Sequence, residues 1–206
     1  MIKLFAIVAM LAVGAGAPAE KPAASNPKDI KMMHDLARCL VARKGSQVQR
    51  LLATDYRTDA YRSSVRRFAR GASSCASFSG SLKMANVLMA GSLAEAMLAT
   101  SDNATPLARR LAYDPAAPAV PARDDGEYLG LCLARTQPEA VEALLATAPE
   151  SDAEKAKVAS MVPTIAPCVQ AGASARINRT GLRALVALAA YRLTTSSAGA
   201  ARPAEG

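Results

Sequence analysis

The stretch from Cys39 to Cys75 occurs twice: Cys132 to Cys168 repeats it at a constant offset of 93 residues, without a gap. Leu40 corresponds to Leu133 and Val48 to Val141. The run Leu51-Leu52-Ala53-Thr54 returns as Leu144-Leu145-Ala146-Thr147, Asp59-Ala60 as Asp152-Ala153, and Val65 as Val158. Beyond the second cysteine the register holds at Ser81 and Ser174, Ala94 and Ala187, and Ala96 and Ala189. An Ala-rich chain yields scattered matches by chance. Two cysteines and a four-residue block in one ungapped register point to tandem duplication.

The duplicated unit reads as helical. Half of the 206 residues are hydrophobic, 51%, yet aromatics make up only 4% and Trp is absent. Ala and Leu lead the helix-propensity order, and the aromatic residues that strands favour are scarce. The expected fold class is therefore all-α, with two tandem homologous repeats of about four helices each.

Residues 1–19 have the form of a secretory signal: Lys3, an apolar run from Leu4 to Val13, and Ala17-Pro18-Ala19 before Glu20 as an A-x-A cleavage site. The run is short for a bilayer span, which needs about 20 apolar residues. Residues 20–27 read as a flexible leader. Export to the periplasm or beyond places Cys39, Cys75, Cys132 and Cys168 in an oxidising compartment. Four cysteines allow three pairings. The duplication favours Cys39 with Cys75 and Cys132 with Cys168, because a bridge formed before duplication is copied intact. The chain has no C-x-x-C motif and a single histidine, so neither thioredoxin-like redox chemistry nor a zinc site is indicated. No cofactor or metal is called for.

Repeat 1 spans residues 28–101. Asp29 to Arg43 has apolar residues at helical spacing: Ile30, Met33, Leu36, Ala37, Leu40 and Val41. Gly45 ends this helix and Ser46 opens a second, through Leu52. In repeat 2, residues 122–194, Pro138-Glu139 replaces Gly45-Ser46, with Pro in its favoured first-turn position. A third helix starts near Thr58 and near Ser151, where Ser151-Asp152-Ala153-Glu154 is a capping-box pattern. A fourth covers Lys83 to Ala99 and Ile177 to Leu193, and these last helices should be the most buried, meeting across a pseudo-twofold axis. Residues 102–121 form a Pro-rich linker with room for a helical turn or two between Leu107 and Tyr113. Residues 195–206 have the composition of a disordered tail.

Chemistry is sparsely marked. His34 beside Asp35 has the form of a general base oriented by a carboxylate. The serines of the loop around Cys75 (Ser73, Ser74, Ser77, Ser79, Ser81) are the matching nucleophile candidates, but they carry neither G-x-S-x-G nor S-x-x-K spacing. Asn178-Arg179-Thr180 fits a glycosylation triplet at the start of a helix. Charge is more informative. The chain carries a formal +8. Residues 28–101 hold twelve Lys and Arg against five Asp and Glu, a balance of +7, whereas residues 121–194 hold eight of each. Arg62, Arg66 and Arg70 are four apart and share a helix face, with Arg67 and Arg57 beside them. The corresponding positions of repeat 2 are Lys155, Ala159 and Pro163. The basic face suits an acidic envelope component: a protein, a lipid headgroup or a polysaccharide. Few aromatics are present to stack on bases, which argues against nucleic acid.

The elements Cys39-Leu40-Val41, Leu51–Thr54, Cys75 and Leu93-Ala94-Glu95-Ala96, with their counterparts in repeat 2, resemble uncharacterised exported helical proteins of alphaproteobacteria. The resemblance implies export, helices and paired cysteines, and brings no activity with it. The sequence thus predicts an exported, non-enzymatic binding or envelope-structural module that uses the face of Arg62, Arg66, Arg67 and Arg70. The alternative is a hydrolase built on His34 and Asp35 with a serine near Cys75.

Overall fold

The computed structural model describes residues 26–70, 75, 85–101, 104–170 and 177–200, with the side chains of residues 69–70 and 197–200 excepted. The expected signal segment, most of the expected leader and the serines around Cys75 lie outside the described residues. What is described is all-helical, without strands: α1 (Pro27–Ala53), α2 (Asp59–Arg70), α3 (Asn86–Thr100), α4 (Leu107–Leu111), α5 (Asp125–Thr136), α6 (Pro138–Leu145), α7 (Asp152–Ile165) and α8 (Arg179–Ala200).

α1 begins where Asn26 accepts the amide of Lys28 at 3.0 Å, with Pro27 in the first turn. Its buried face runs Ile30, Met33, Ala37, Leu40, Val41. The expected break after Arg43 is present as a kink rather than a gap. Lys44 leaves the helical region (φ −143°, ψ 35°) and the helix resumes to Ala53, so two expected helices form one bent one. Gln137, 93 residues on, has nearly the same backbone (φ −136°, ψ 49°), but there Pro138 starts a separate helix. Pro138 has no amide to continue the hydrogen-bond ladder, whereas Gly45 does.

Both cysteine pairs are disulfide-bonded, Cys39–Cys75 and Cys132–Cys168, each with a Cα–Cα distance of 5.6 Å and a sequence separation of 36. Loops of this length contribute roughly 4 kcal/mol each on the chain-entropy account. Cys132 lies on α5, and Cys168 in the 3₁₀ turn Ala166–Cys168 that follows α7. The second bridge therefore ties the end of α7 to α5. α7 runs through Pro163 to Ile165, and Pro167 falls in the 3₁₀ turn.

α3 and α8 form the centre, with α1 packed on α3 and α5 packed on α8. Both central helices are buried on every side: Leu88 and Ala90 to Ala94 in α3, and every residue from Leu182 to Tyr191 in α8. Helices apolar all round are those enclosed by others. Their approach is unusually close. A Cβ on Gly91 would lie 2.4 Å from the Cα of Ala184. Ala184 is the residue 93 positions after Gly91, so the closest approach joins positions related by the 93-residue offset. One hydrophobic core runs through both halves, with Leu40, Val48 and Leu93 from the first and Leu133, Leu144 and Val186 from the second.

The short helix allowed for in the linker is present as α4, and its Leu111 is fully buried. One segment departs from expectation. α8 continues to Ala200, through residues 195–200 that composition assigns to a disordered tail. The hydroxyls of Thr194 and Thr195 donate back to the carbonyls of Ala190 and Tyr191. They are thus absorbed within the helix, and no proline intervenes before Pro203.

Candidate functional site

The basic face is built on α2 and the second arm of α1. Thr58 caps α2 by accepting the amide of Tyr61 at 3.2 Å. Tyr61 is fully buried, and Val65 and Phe68 pack partly against the core. That leaves Arg62, Arg66 and Arg67 exposed. Arg62 pairs with Asp59 one turn back. The side chain of Arg70 lies outside the described residues. Between α1 and α2 runs a groove of about 390 Å³ whose charged lining among the described residues is Lys44, Arg50 and Arg67. The Lys44 ammonium lies 5.3 Å from the centre of the Phe68 ring, a cation–π contact.

Arg57, which the sequence placed beside this face, is turned elsewhere. It bonds Asp55 (Nε to Oδ1, 3.0 Å) and reaches Asp124 at 3.3 Å, tying the α1–α2 loop to the start of α5. Its hydrogen bonds hold the Asp55 carboxyl down at about 2.

His34 is buried, at 6% exposure. Asp35 is exposed and bonded to Arg38, so it does not orient the imidazole. The carboxylate facing His34 is Glu95 of α3, 3.7 Å from Nδ1. Burial, then the positive charges of Arg183 and Arg38, push the His34 pKa down to about 4, leaving the ring neutral at pH 7. His34, Ser92 and Glu95 line one wall of a cleft of about 830 Å³ whose far side is formed by α4 and the segment following α6. Ser92 is 2% exposed and its hydroxyl has no hydrogen-bond partner.

Behind Glu95 lies a buried ionic network. Arg183 of α8, 1% exposed, forks onto Glu95 through Nε (2.9 Å) and Nη2 (2.7 Å). Its Nη1 reaches Glu154 at 3.2 Å. Nη1 also donates to the carbonyl of Leu144 (3.2 Å) and Nη2 to that of Thr147 (2.8 Å), closing the free end of α6. Glu154 is itself 1% exposed and meets Arg179 at 3.1 Å. As expected, Ser151 accepts the amide of Glu154, at 3.1 Å. The carboxylate of Glu154, however, takes the amide of Glu150 (2.9 Å), one residue earlier than a capping box places it. Glu127 repeats the device: Asp124 accepts its amide at 2.8 Å, and its carboxylate takes the amide of Arg123 at 2.9 Å and Arg192 of α8 at 2.8 Å. Sequence reasoning missed these pairs. The available signal was two arginines, Arg183 and Arg192, bounding the apolar run of α8.

Asn178 accepts the amide of Gly181 at 2.7 Å, so the triplet there forms the cap of α8. Among the described residues no group of three His, Cys, Asp or Glu is placed to hold a metal ion. No protein-family model matches the chain, and comparison with curated proteins and with solved structures finds no match.

Proposed function

We propose that this chain is an exported binding module of the cell envelope that holds an acidic component on the basic face formed by α2 and the second arm of α1. The observation that carries the reading is the groove between those helices, whose charged lining among the described residues is Lys44, Arg50 and Arg67. Arg62 and Arg66 extend the same sign of charge over the exposed side of α2. A surface of one charge raises the local concentration of an oppositely charged partner. Two closed disulfides suit an oxidising compartment, and no helix among the described residues is long and apolar enough to cross a membrane. The partner class is an acidic protein, lipid headgroup or polysaccharide. A tandem origin for the two halves, followed by divergence in charge, explains why only the first carries this face. The hydrolase alternative has less behind it, because Asp35 is engaged by Arg38 and Glu95 faces His34 instead.

The test is capture of envelope components by the tagged protein, with the variant Arg62→Glu/Arg66→Glu/Arg67→Glu run beside it. A component retained by the wild type, lost from the variant and released by added salt is the expected result. Equal capture by both proteins, or none by either, would overturn the proposal.

A further inference from the structure

We propose that the cleft between α1, α3 and α4 binds a small organic carboxylate with a short aliphatic body, its carboxylate seated on the Nε–Nη2 edge of Arg110. This site is distinct from the basic face of α2. Its volume, about 830 Å³, falls in the range of small-molecule sites.

Arg110 lines the cleft from α4. Its Nη1 donates to the hydroxyl of Ser101 at 3.2 Å. Its Nε is buried without an acceptor, and among the described residues no carboxylate lies within ion-pair distance of it. A guanidinium whose Nη1 is occupied and whose Nε has no acceptor keeps its Nε–Nη2 edge, the two parallel donors that a carboxylate accepts in bidentate fashion, without a partner among the described residues. On the α3 wall Ser92 adds a second buried group lacking a partner, its hydroxyl. Buried donors are almost always satisfied in folded proteins. Two of them lining one cleft point to ligand oxygens as the missing acceptors.

The cleft's own carboxylates are engaged: Asp35 with Arg38, Glu95 with Arg183, and Glu142 with the amide of Leu107 at 2.8 Å. Only Glu142 lacks a cation, which makes it the group opposing an anion most strongly. Lys31, exposed at the edge of the cleft, has the attracting charge. His34 is neutral at pH 7 and leaves this balance unaltered. The apolar part of the lining includes Leu98, Leu107 and Leu145, which suits a short hydrocarbon body.

The test is a titration of the oxidised protein with hexanoate, followed by amide ¹H–¹⁵N shifts, with hexan-1-ol in parallel. Saturable shifts at Ala96, Leu107 and Ala148 are expected, with hexanoate binding about tenfold or more tighter than the alcohol. Arg110→Gln should weaken hexanoate by about tenfold. Arg110→Lys keeps the charge, loses the edge and should weaken it by a similar factor; it decides the matter if Arg110→Gln does not fold. Glu142→Gln retains the acceptor for Leu107 and should tighten binding about threefold. The proposal is overturned by equal binding of acid and alcohol, by unchanged affinity in the folded Arg110 variant, or by the absence of saturable shifts at the cleft.

Discussion

Replacing Arg183 with Met tests the claim that a buried guanidinium locks the two halves together. Met keeps an unbranched apolar stem in the same channel and removes every donor. The wild-type side chain is 1% exposed and reaches α3 through Glu95, the end of α6 through Leu144 and Thr147, and α7 through Glu154. Glu154 keeps Arg179 and the amide of Glu150 when Arg183 is lost. Glu95 loses both of its guanidinium bonds and retains only the neutral His34 beside it. Removing one partner of a buried pair costs about 3–5 kcal/mol. The Glu95 side chain is 17% exposed, so water recovers part of the loss and the lower figure, about 3 kcal/mol, applies. In a chain of this size that lowers the melting temperature by about 6–12 °C. Urea denaturation at pH 7.5, followed by far-UV circular dichroism, reads the difference directly. The double variant Arg183→Met/Glu95→Leu completes the argument. Position 188, 93 residues after Glu95, already holds Leu in a buried setting. Removing the orphaned carboxylate should restore at least about 1 kcal/mol relative to Arg183→Met alone, the size of coupling expected for contacting groups. A single variant within about 1 kcal/mol of wild type, or a double variant worse than the single, would refute the reasoning.

The closest approach of α3 and α8 makes Gly91→Ala an overpacking change, since its Cβ meets the backbone of Ala184 at 2.4 Å. A loss of about 3 kcal/mol is expected in the same urea assay, whereas Gly45→Ala, with nothing within 4 Å, should be neutral or add up to about 1 kcal/mol. His34 gives a pH signature. Its pKa is depressed to about 4 in the fold, so between pH 6.5 and 4 the unfolded chain binds the extra proton and acid favours unfolding. At pH 4.5 that share of stability lost amounts to about 2–3 kcal/mol. Denaturation of wild type and His34→Leu at pH 7.5 and 4.5 checks it: the wild type should lose this much more than the variant on acidification, and equal losses would show that the imidazole is not held neutral by the fold.

Much of the architecture was legible in the chain because its signals are local. Helical spacing of Ile30, Met33, Ala37 and Leu40 defines a buried stripe whatever lies opposite. Ser151 and Glu154 mark a helix start within one turn. The 93-residue offset selected the disulfide pairs, since register is a property of sequence, and both bridges join the expected cysteines. The continuation of α1 through Lys44 was not legible, because a kink and a break differ only in whether packing holds the two arms together. Nor was the company of His34. Asp35 is its neighbour in sequence, but consecutive helical residues project about 100° apart, so Asp35 points to solvent and Arg38 while Glu95 of α3 faces the ring. The basic face was visible as Arg62, Arg66 and Arg67, yet the groove beside it needs Lys44 and Arg50 from another helix. By itself the sequence determined helices, register and disulfides, each set by interactions a few residues apart or by the 93-residue offset. The ionic lock of Arg183 and the Gly91–Ala184 contact were decided only when α3 and α8 met, and the cleft around Arg110 only when α1, α3 and α4 were brought together. They join side chains that share no local spacing, and burial then made each of those pairings costly to break.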